Sequence, residues 1–375
     1  MVHKRITITK TQKIDGIATS NVKNGENGWM LVKGVYTSDQ PEFFEFGEGI
    51  LDHFLSLAEI PADAVSQCLI LVHQDLNVDL YINDFPISVE MRVKRNFKKG
   101  EAVSTNDIAD IRALMFPDST LEKTDKVICC LKVGWKFGLY FNFNNDGQLS
   151  IDDLQLDLGK LFRKLRFYKL YNVFEKQRQF DQMLKDGWFP FVELIGQPYD
   201  ELVKLYVDKF NYEERIGTFL NKFDREKIEA LASRWWVIPA FNNKKALIEA
   251  GLSAYYQNDA SGFINCIKTL TSEIEGIMRL DCYTETNKTK IKFDDLSKHV
   301  FRKALSKSSS SSLFFPDYFL KYLDETFFAN FDLGSGSVEL SRHSSLHGVA
   351  KEGDYSKAKA LQTILVLDQL HFYLS

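Results

Sequence analysis

The stretch from Val127 to Tyr168, VICCLKVGWKFGLYFNFNNDGQLSIDDLQLDLGKLFRKLRFY, decides the fold, because its hydrophobic pattern changes period partway along. Up to Phe143 the residues are branched or aromatic and are punctuated by Gly and Asn, the signature of short strands. From Ile151 the apolar positions Leu154, Leu158, Leu161, Leu165 and Tyr168 recur at the helical period, while Lys160, Arg163, Lys164 and Arg166 project mainly elsewhere. That basic side reads as a solvated helix face, with phosphate contact as the alternative. The pattern does not switch back, so the expected fold class is α+β. A mixed α/β sheet domain is expected over residues 1-148, a helical connecting region over 149-225 and an all-helical domain over 226-375.

Working toward the N-terminus, strands are expected at Ile6 and Ile8, Trp29 to Tyr36, Cys68 to Val72, Val78/Leu80/Ile82 and Val89/Met91/Val93. Two helical insertions are expected between them. One covers about Ile50 to Ala58, and the other about Asn106 to Leu114, with Asn106 as its cap and Ile108, Ile111 and Ala113 or Leu114 on its apolar side. Gly47-Glu48-Gly49 lacks the preceding strand and the spacing of a phosphate-binding fingerprint.

Working toward the C-terminus, Gly187-Trp188-Phe189-Pro190-Phe191 reads as an aromatic knot packed between helices. Helices follow over roughly Tyr199 to Phe210, Arg225 to Trp236, Lys244 to Gln257 and Ser261 to Leu280. The serine run Ser308 to Ser312 has no apolar content to pack and reads as a mobile loop, and Pro316 is placed to start another helix. The last helix, Tyr355 to about Tyr373, is apolar on most sides. It is expected either at the centre of a bundle or under a second subunit.

Composition narrows the function classes. At 375 residues with 45% apolar and 26% charged side chains, the chain has material for two or three packed domains. Its net charge of -4 argues against a broad electrostatic surface for nucleic acid, so any RNA contact has to be local. Five cysteines without Cys-x-x-Cys spacing read as reduced, partly buried thiols. No apolar run approaches a membrane span and the first residues lack a secretory signal, so a cytoplasmic location without membrane contact is expected.

The residues with most chemical promise lie in Ser341-Arg342-His343-Ser344-Ser345-Leu346-His347-Gly348. An Arg fork can hold two phosphate oxygens, and an imidazole can take or give a proton near neutrality. On an ideal helix, five residues rotate two side chains ~140° apart, so Arg342 and His347 converge only where the helix bends or ends, and Gly348 supplies an ending. His343 and His347 do share a face, which leaves a two-histidine metal site as an alternative, although Ser344 stands where a zincin helix needs Glu. A purely structural role for the Arg-His pair is a further alternative. Glu275 and Arg279 form an i,i+4 pair that reads as an exposed helix ion pair, or as support for His347 or Arg342. Arg234 beside Trp235 and Trp236 reads as packing. His3, His53, His73, His299 and His371 read as isolated and incidental.

The order Arg234-Trp235-Trp236, an Ala/Tyr-rich helix, LTSEIEGIMR from Leu270 to Arg279, SRHSSLHG and a Tyr-led final helix reading ALQTILVLDQL resembles the HEPN superfamily. The resemblance covers about residues 226 to 375, and its Arg-(polar)-x-x-x-His signature falls on Arg342, His343 and His347. It implies a HEPN-like helical bundle and metal-independent endoribonuclease activity on single-stranded or looped RNA, with no cofactor. It also implies a homodimer through the C-terminal domain, a setting in stress response, toxin activity or antiviral defence, and room for a regulatory protein partner. In this reading His347 is the general base or acid, Arg342 holds the scissile phosphate, and His343, Glu275 and Arg279 are supporting residues. His343 departs from the commoner Asn or Asp. The family also includes members that bind RNA or protein without cutting, so a non-catalytic module is the alternative. Residues 1 to 225 carry no such resemblance, and a target-sensing or scaffold role is expected for them.

Overall fold

The computed structural model describes residues 2–307, 312–329, 341, 344 and 350–375. The chain forms two compact units, Met1–Arg92 with Ile111–Tyr168, and Val93–Asp110 with Lys169–Ser375. The fold is α+β, an antiparallel sheet followed by many helices. The five cysteines are buried and free, as their spacing predicts. Among the described residues, no helix is long and apolar enough to cross a membrane.

In the first unit, strands β1 (Val2–Thr7), β4 (Lys33–Thr37), β5 (Cys68–Val72), β6 (Asn77–Ile82), β9 (Lys126–Val133) and β10 (Lys136–Asn142) build a six-stranded sheet in the order β1-β6-β5-β9-β10-β4. All its pairings are antiparallel. Two short strands, β2 (Ile17–Ala18) and β3 (Met30–Leu31), pair separately, as do β7 (Ser88–Val93) and β8 (Ile108–Met115). The β9–β10 hairpin closes through Gly134-Trp135, with Gly134 at φ 60°, a backbone conformation that tight hairpin turns ask of glycine.

The central strand β5 is buried on both faces, and its alternation divides the core. Cys68, Ile70 and Val72 join Ile50, Phe54 and Leu55 of helix α1 (Pro41–Leu57) on one side. Leu69 and Leu71 join Leu154, Leu158, Leu161 and Leu165 of α2 (Ile151–Arg166) on the other. The leucine stripe thus covers the sheet from within the first unit. Helix α1 begins nine residues earlier than the sequence suggests, at Pro41, whose fixed φ suits a first helical position.

The helix expected from Asn106 to Leu114 is not formed, and most of that stretch is β8. An amphipathic helix there would bury one side only, whereas in β8 Ala109, Asp110, Ile111, Ala113 and Leu114 are all buried. Its carbonyls find a side-chain partner too, since the Arg163 guanidinium donates to the Ile111 oxygen at 2.6 Å. The cap signal is real but serves other elements. Ser104 and Asp107 close a short turn reciprocally, and the Asn106 side-chain oxygen accepts the Gln197 N–H at the start of another helix.

Gly159 lets α2 approach β8 closely. A Cβ there would stand 2.4 Å from the Arg112 carbonyl oxygen and 2.6 Å from the Ala113 Cα, and backbone cannot swing aside. Gly159→Ala is therefore expected to destabilise the protein in urea unfolding. An overpacking cost of about 1–3 kcal/mol outweighs the ~1 kcal/mol that alanine gains in helix propensity.

The second unit is helical: α3 (Tyr168–Glu175, from its second residue), α4 (Gln177–Lys185), α5 (Gln197–Val207), α6 (Tyr212–Asn221), α7 (Arg225–Ser233), α8 (Pro239–Asn242), α9 (Lys245–Tyr256), α10 (Ala260–Thr286), α11 (Phe293–Lys307), α12 (Pro316–Tyr322) and α13 (Lys357–Leu374). Every residue of α13 from Ala360 to Leu374 is buried, and the helix packs against α10, α11, α9 and α6 of its own chain. Of the two expectations for this helix, the centre of a bundle holds. Its apolar surface is covered without a second subunit.

The polar groups on α13 tie loops to the core. The Gln362 amide donates to the Asp186 carbonyl at 2.9 Å, the Gln369 side-chain oxygen accepts the Val192 N–H at 2.8 Å, and the Tyr373 hydroxyl donates to the Phe314 carbonyl. Trp188, Phe189 and Phe191 are buried, so the aromatic knot packs as its sequence suggests. Residues 308–311 of the serine run lie outside the described residues, whereas Ser312 is buried.

Candidate functional site

Arg342, His343, His347 and Gly348 lie outside the described residues. Their described neighbours are anchored. Ser341 and Ser344 are buried and exchange hydrogen bonds in the pattern of a capping box, the Ser341 N–H donating to the Ser344 hydroxyl at 2.8 Å and the Ser344 N–H to the Ser341 hydroxyl at 3.3 Å. The Ser341 hydroxyl also donates to the Ala329 carbonyl at 2.7 Å, and the Ala350 N–H donates to the Ser344 carbonyl at 3.2 Å. Ser341 borders a cavity of about 30 Å³, large enough for a water molecule, whose lining mixes Thr271, Thr326, Gln362 and Thr363 with the apolar Ile267 and Phe327.

Glu275 and Arg279 sit on α10 as their spacing predicts. The Arg279 Nε donates to Glu275 Oε1 at 2.7 Å, and its Nη1 donates to the Ile291 carbonyl at 2.8 Å, so the arginine ties the end of α10 to the chain that follows. Arg234 does more than pack beside indoles. It donates through Nη2 to both oxygens of Asp368, at 2.9 and 2.8 Å, and to Glu193 at 3.0 Å, while the Trp235 indole donates to Asp368 at 2.8 Å. The same network holds Lys94, whose Nζ donates to the Ile195 carbonyl; burial pushes its pKa down to about 8.

A cluster that sequence reasoning missed stands at one end of the sheet. Strand pairing places His3 opposite Tyr81 and Arg5 opposite Asp79, and the β5–β6 turn brings His73 beside them. Asp79 is the centre. Arg5 donates to its two oxygens at 2.5 and 2.6 Å, His73 Nε2 lies 3.2 Å away and His3 Nε2 lies 3.3 Å away. The His73 Nδ1 meets the fully buried Asp125 at 2.8 Å, and the His3 ring stacks on Tyr81. Neither His3 nor His73 is isolated. The only sequence trace of this cluster is the period-two spacing of His3 with Arg5 and of Asp79 with Tyr81; the 69 residues between the two histidines hide the rest.

These side chains line an open cleft of about 640 Å³, whose rim also carries Asp75, Asp118 and Glu122. With one arginine against four lining carboxylates, the cleft does not suit a phosphate. The arrangement is a histidine-carboxylate clamp. Burial opposes the charge on His73, but Asp125 and Asp79 outweigh it and raise its pKa above the ordinary imidazole value. Arg5 above all, helped by His73 and His3 against burial, holds Asp79 well below the usual carboxylate range.

A pH dependence follows from these directions. A raised histidine contributes its full stability below the unfolded pKa of ~6.5, and that contribution fades as pH rises through the folded value. Urea midpoints are expected to fall as pH rises from ~6.5 through the raised folded value, and His73→Gln is expected to flatten that decline. Unchanged curvature in the variant would contradict the clamp. Asp79 works in the opposite direction, contributing above ~3.9 and losing its contribution as pH falls.

No protein-family model, no curated protein and no solved structure matches this chain.

Proposed function

We propose that the chain is a cytoplasmic, metal-independent endoribonuclease of HEPN type, acting on single-stranded or looped RNA through Arg342 and His347. The observation that supports this reading most is the order and packing of the helices. The segment carrying both residues leads into α13, which is buried against α10, the helix of Glu275 and Arg279. That order agrees with the resemblance, in which a buried final helix directly follows the Arg-His signature. The bonded pair Ser341 and Ser344, flanking Arg342 and His343, also supports a segment attached to the helical unit at its base.

The chemistry needs no metal. His347 takes the proton of a ribose 2′-hydroxyl, whose oxygen attacks the adjacent phosphorus, and Arg342 neutralises the charge growing on the non-bridging oxygens. The bond from phosphorus to the next 5′ oxygen breaks, leaving a 2′,3′-cyclic phosphate and a 5′-hydroxyl that takes up a proton. DNA lacks the attacking group. Two copies would set motif against motif in a homodimer, with contacts from surfaces other than α13, because that helix is covered within its own chain. A stress, toxin or antiviral setting, with a protein partner restraining the activity, fits such chemistry.

Incubating the purified full chain with RNA and with DNA of the same sequence in EDTA tests the proposal. RNA fragments ending in 2′,3′-cyclic phosphate, beside intact DNA, are expected. RNA bound but never cut would instead favour a non-catalytic binding module.

A further inference from the structure

Near the C-terminal end of α10, Asp281 and Glu285 face His299 of α11, and one donor atom from each lies within 4.8 Å of the other two. His299 reads as incidental in the sequence, yet its side chain is almost fully buried and its Nε2 stands 2.7 Å from Asp281 Oδ2 and 3.8 Å from Glu285 Oε2. The same two carboxylate oxygens also face the ammonium of Lys303, at 3.9 and 2.9 Å. Two oxygens directed at one imidazole nitrogen and one cation already form a cation-binding arrangement.

We propose that Asp281, Glu285 and His299 bind a divalent transition-metal ion of the zinc or cobalt type, which enters by displacing the Lys303 ammonium. The donor set is the right kind, one imidazole and two carboxylates, a combination used for such ions and unlike the all-oxygen sets of calcium and magnesium. The spacing is close as well. Donors each ~2.0–2.1 Å from a tetrahedral ion stand ~3.3 Å apart, midway between the two distances made by His299 Nε2. The site lies at the negative end of the α10 dipole, which favours a cation further. Asp281 is half-buried and Glu285 is exposed, so an ion can arrive from the solvent side, and the Lys303 stem is long enough to swing away. This site involves neither Arg342 nor His347 and stands or falls separately from the nuclease proposal. Its role would be to clip α10 to α11.

Titrating the purified full chain with cobalt(II) alone, and following its visible absorption, tests the site. One ion per chain is expected, with a spectrum of low-symmetry nitrogen and oxygen coordination. His299→Ala and the exposed Glu285→Gln are each expected to weaken binding by at least ~10-fold, since loss of a ligand costs no less than loss of an outer partner. Lys303→Met is expected to tighten it, because the competing ammonium is gone. At one metal concentration, bound metal should also raise the melting temperature of the wild type more than that of Glu285→Gln. Absence of saturable binding to the wild type would overturn the proposal. So would binding that Glu285→Gln leaves unchanged, and neither result depends on whether the His299 variant folds.

Discussion

Replacing Asp368 with alanine is expected to destabilise the helical unit by about 3–5 kcal/mol, the usual cost of removing one partner from a buried ion pair. Asp368 is 1% exposed and receives both the Arg234 fork and the Trp235 indole. Without it the guanidinium keeps Glu193 and the Lys94 carbonyl as acceptors, and the indole N–H, on a fully buried tryptophan, loses its acceptor. The effect should be strongly non-additive. Pairing the change with Arg234→Met removes the stranded cation and is expected to recover part of the loss, whereas two independent sites would simply add. Urea unfolding of the wild type, the two single variants and the double variant measures this coupling. Additive losses would mean that Asp368 and Arg234 do not act as a pair.

The second large effect concerns catalysis. His347→Ala is expected to lower RNA cleavage by ~10²–10⁴-fold, the range contributed by a positioned general acid or base. Arg342→Ala is expected to cost ~10²–10³-fold, comparable to losing one donor from a transition-state charge clamp. Neither change should move the urea midpoint by more than a surface substitution does, ~0.5 kcal/mol. This separates them from Asp368→Ala, which should act on stability. Loss of cleavage together with loss of folding would reduce the Arg-His pair to packing.

Much of the architecture was legible where one element buries one stripe or all of itself. The spacing of Leu154, Leu158, Leu161 and Leu165 marks α2, and apolar residues on most sides of α13 mark a helix that is largely covered. What covers that run was not legible, because a second subunit and the chain's own helices would leave the same pattern. Residues 106–114 misled for a related reason: Ile108, Ile111 and Leu114 fit a helical period, and only burial on both faces decides for a strand. Asn106 did carry a cap signal, but for a helix beginning 91 residues later. The clamp around Asp79 was illegible because register, which no local pattern encodes, is what sets Arg5 opposite Asp79. The grouping of His299 with Asp281 and Glu285 likewise depends on how α10 and α11 pack, and the helix expected over Ser261 to Leu280 stops short of both carboxylates, which the structure places on α10.

The most direct measurement is cleavage of a labelled single-stranded RNA, in EDTA, by equal amounts of folded wild type and His347→Ala. Fragments bearing 2′,3′-cyclic phosphate from the wild type, with at least ~10²-fold slower cleavage by the variant, is the expected result. Equal cleavage by both proteins, or intact RNA with both, would contradict the assignment of His347 and Arg342 as a ribonuclease site.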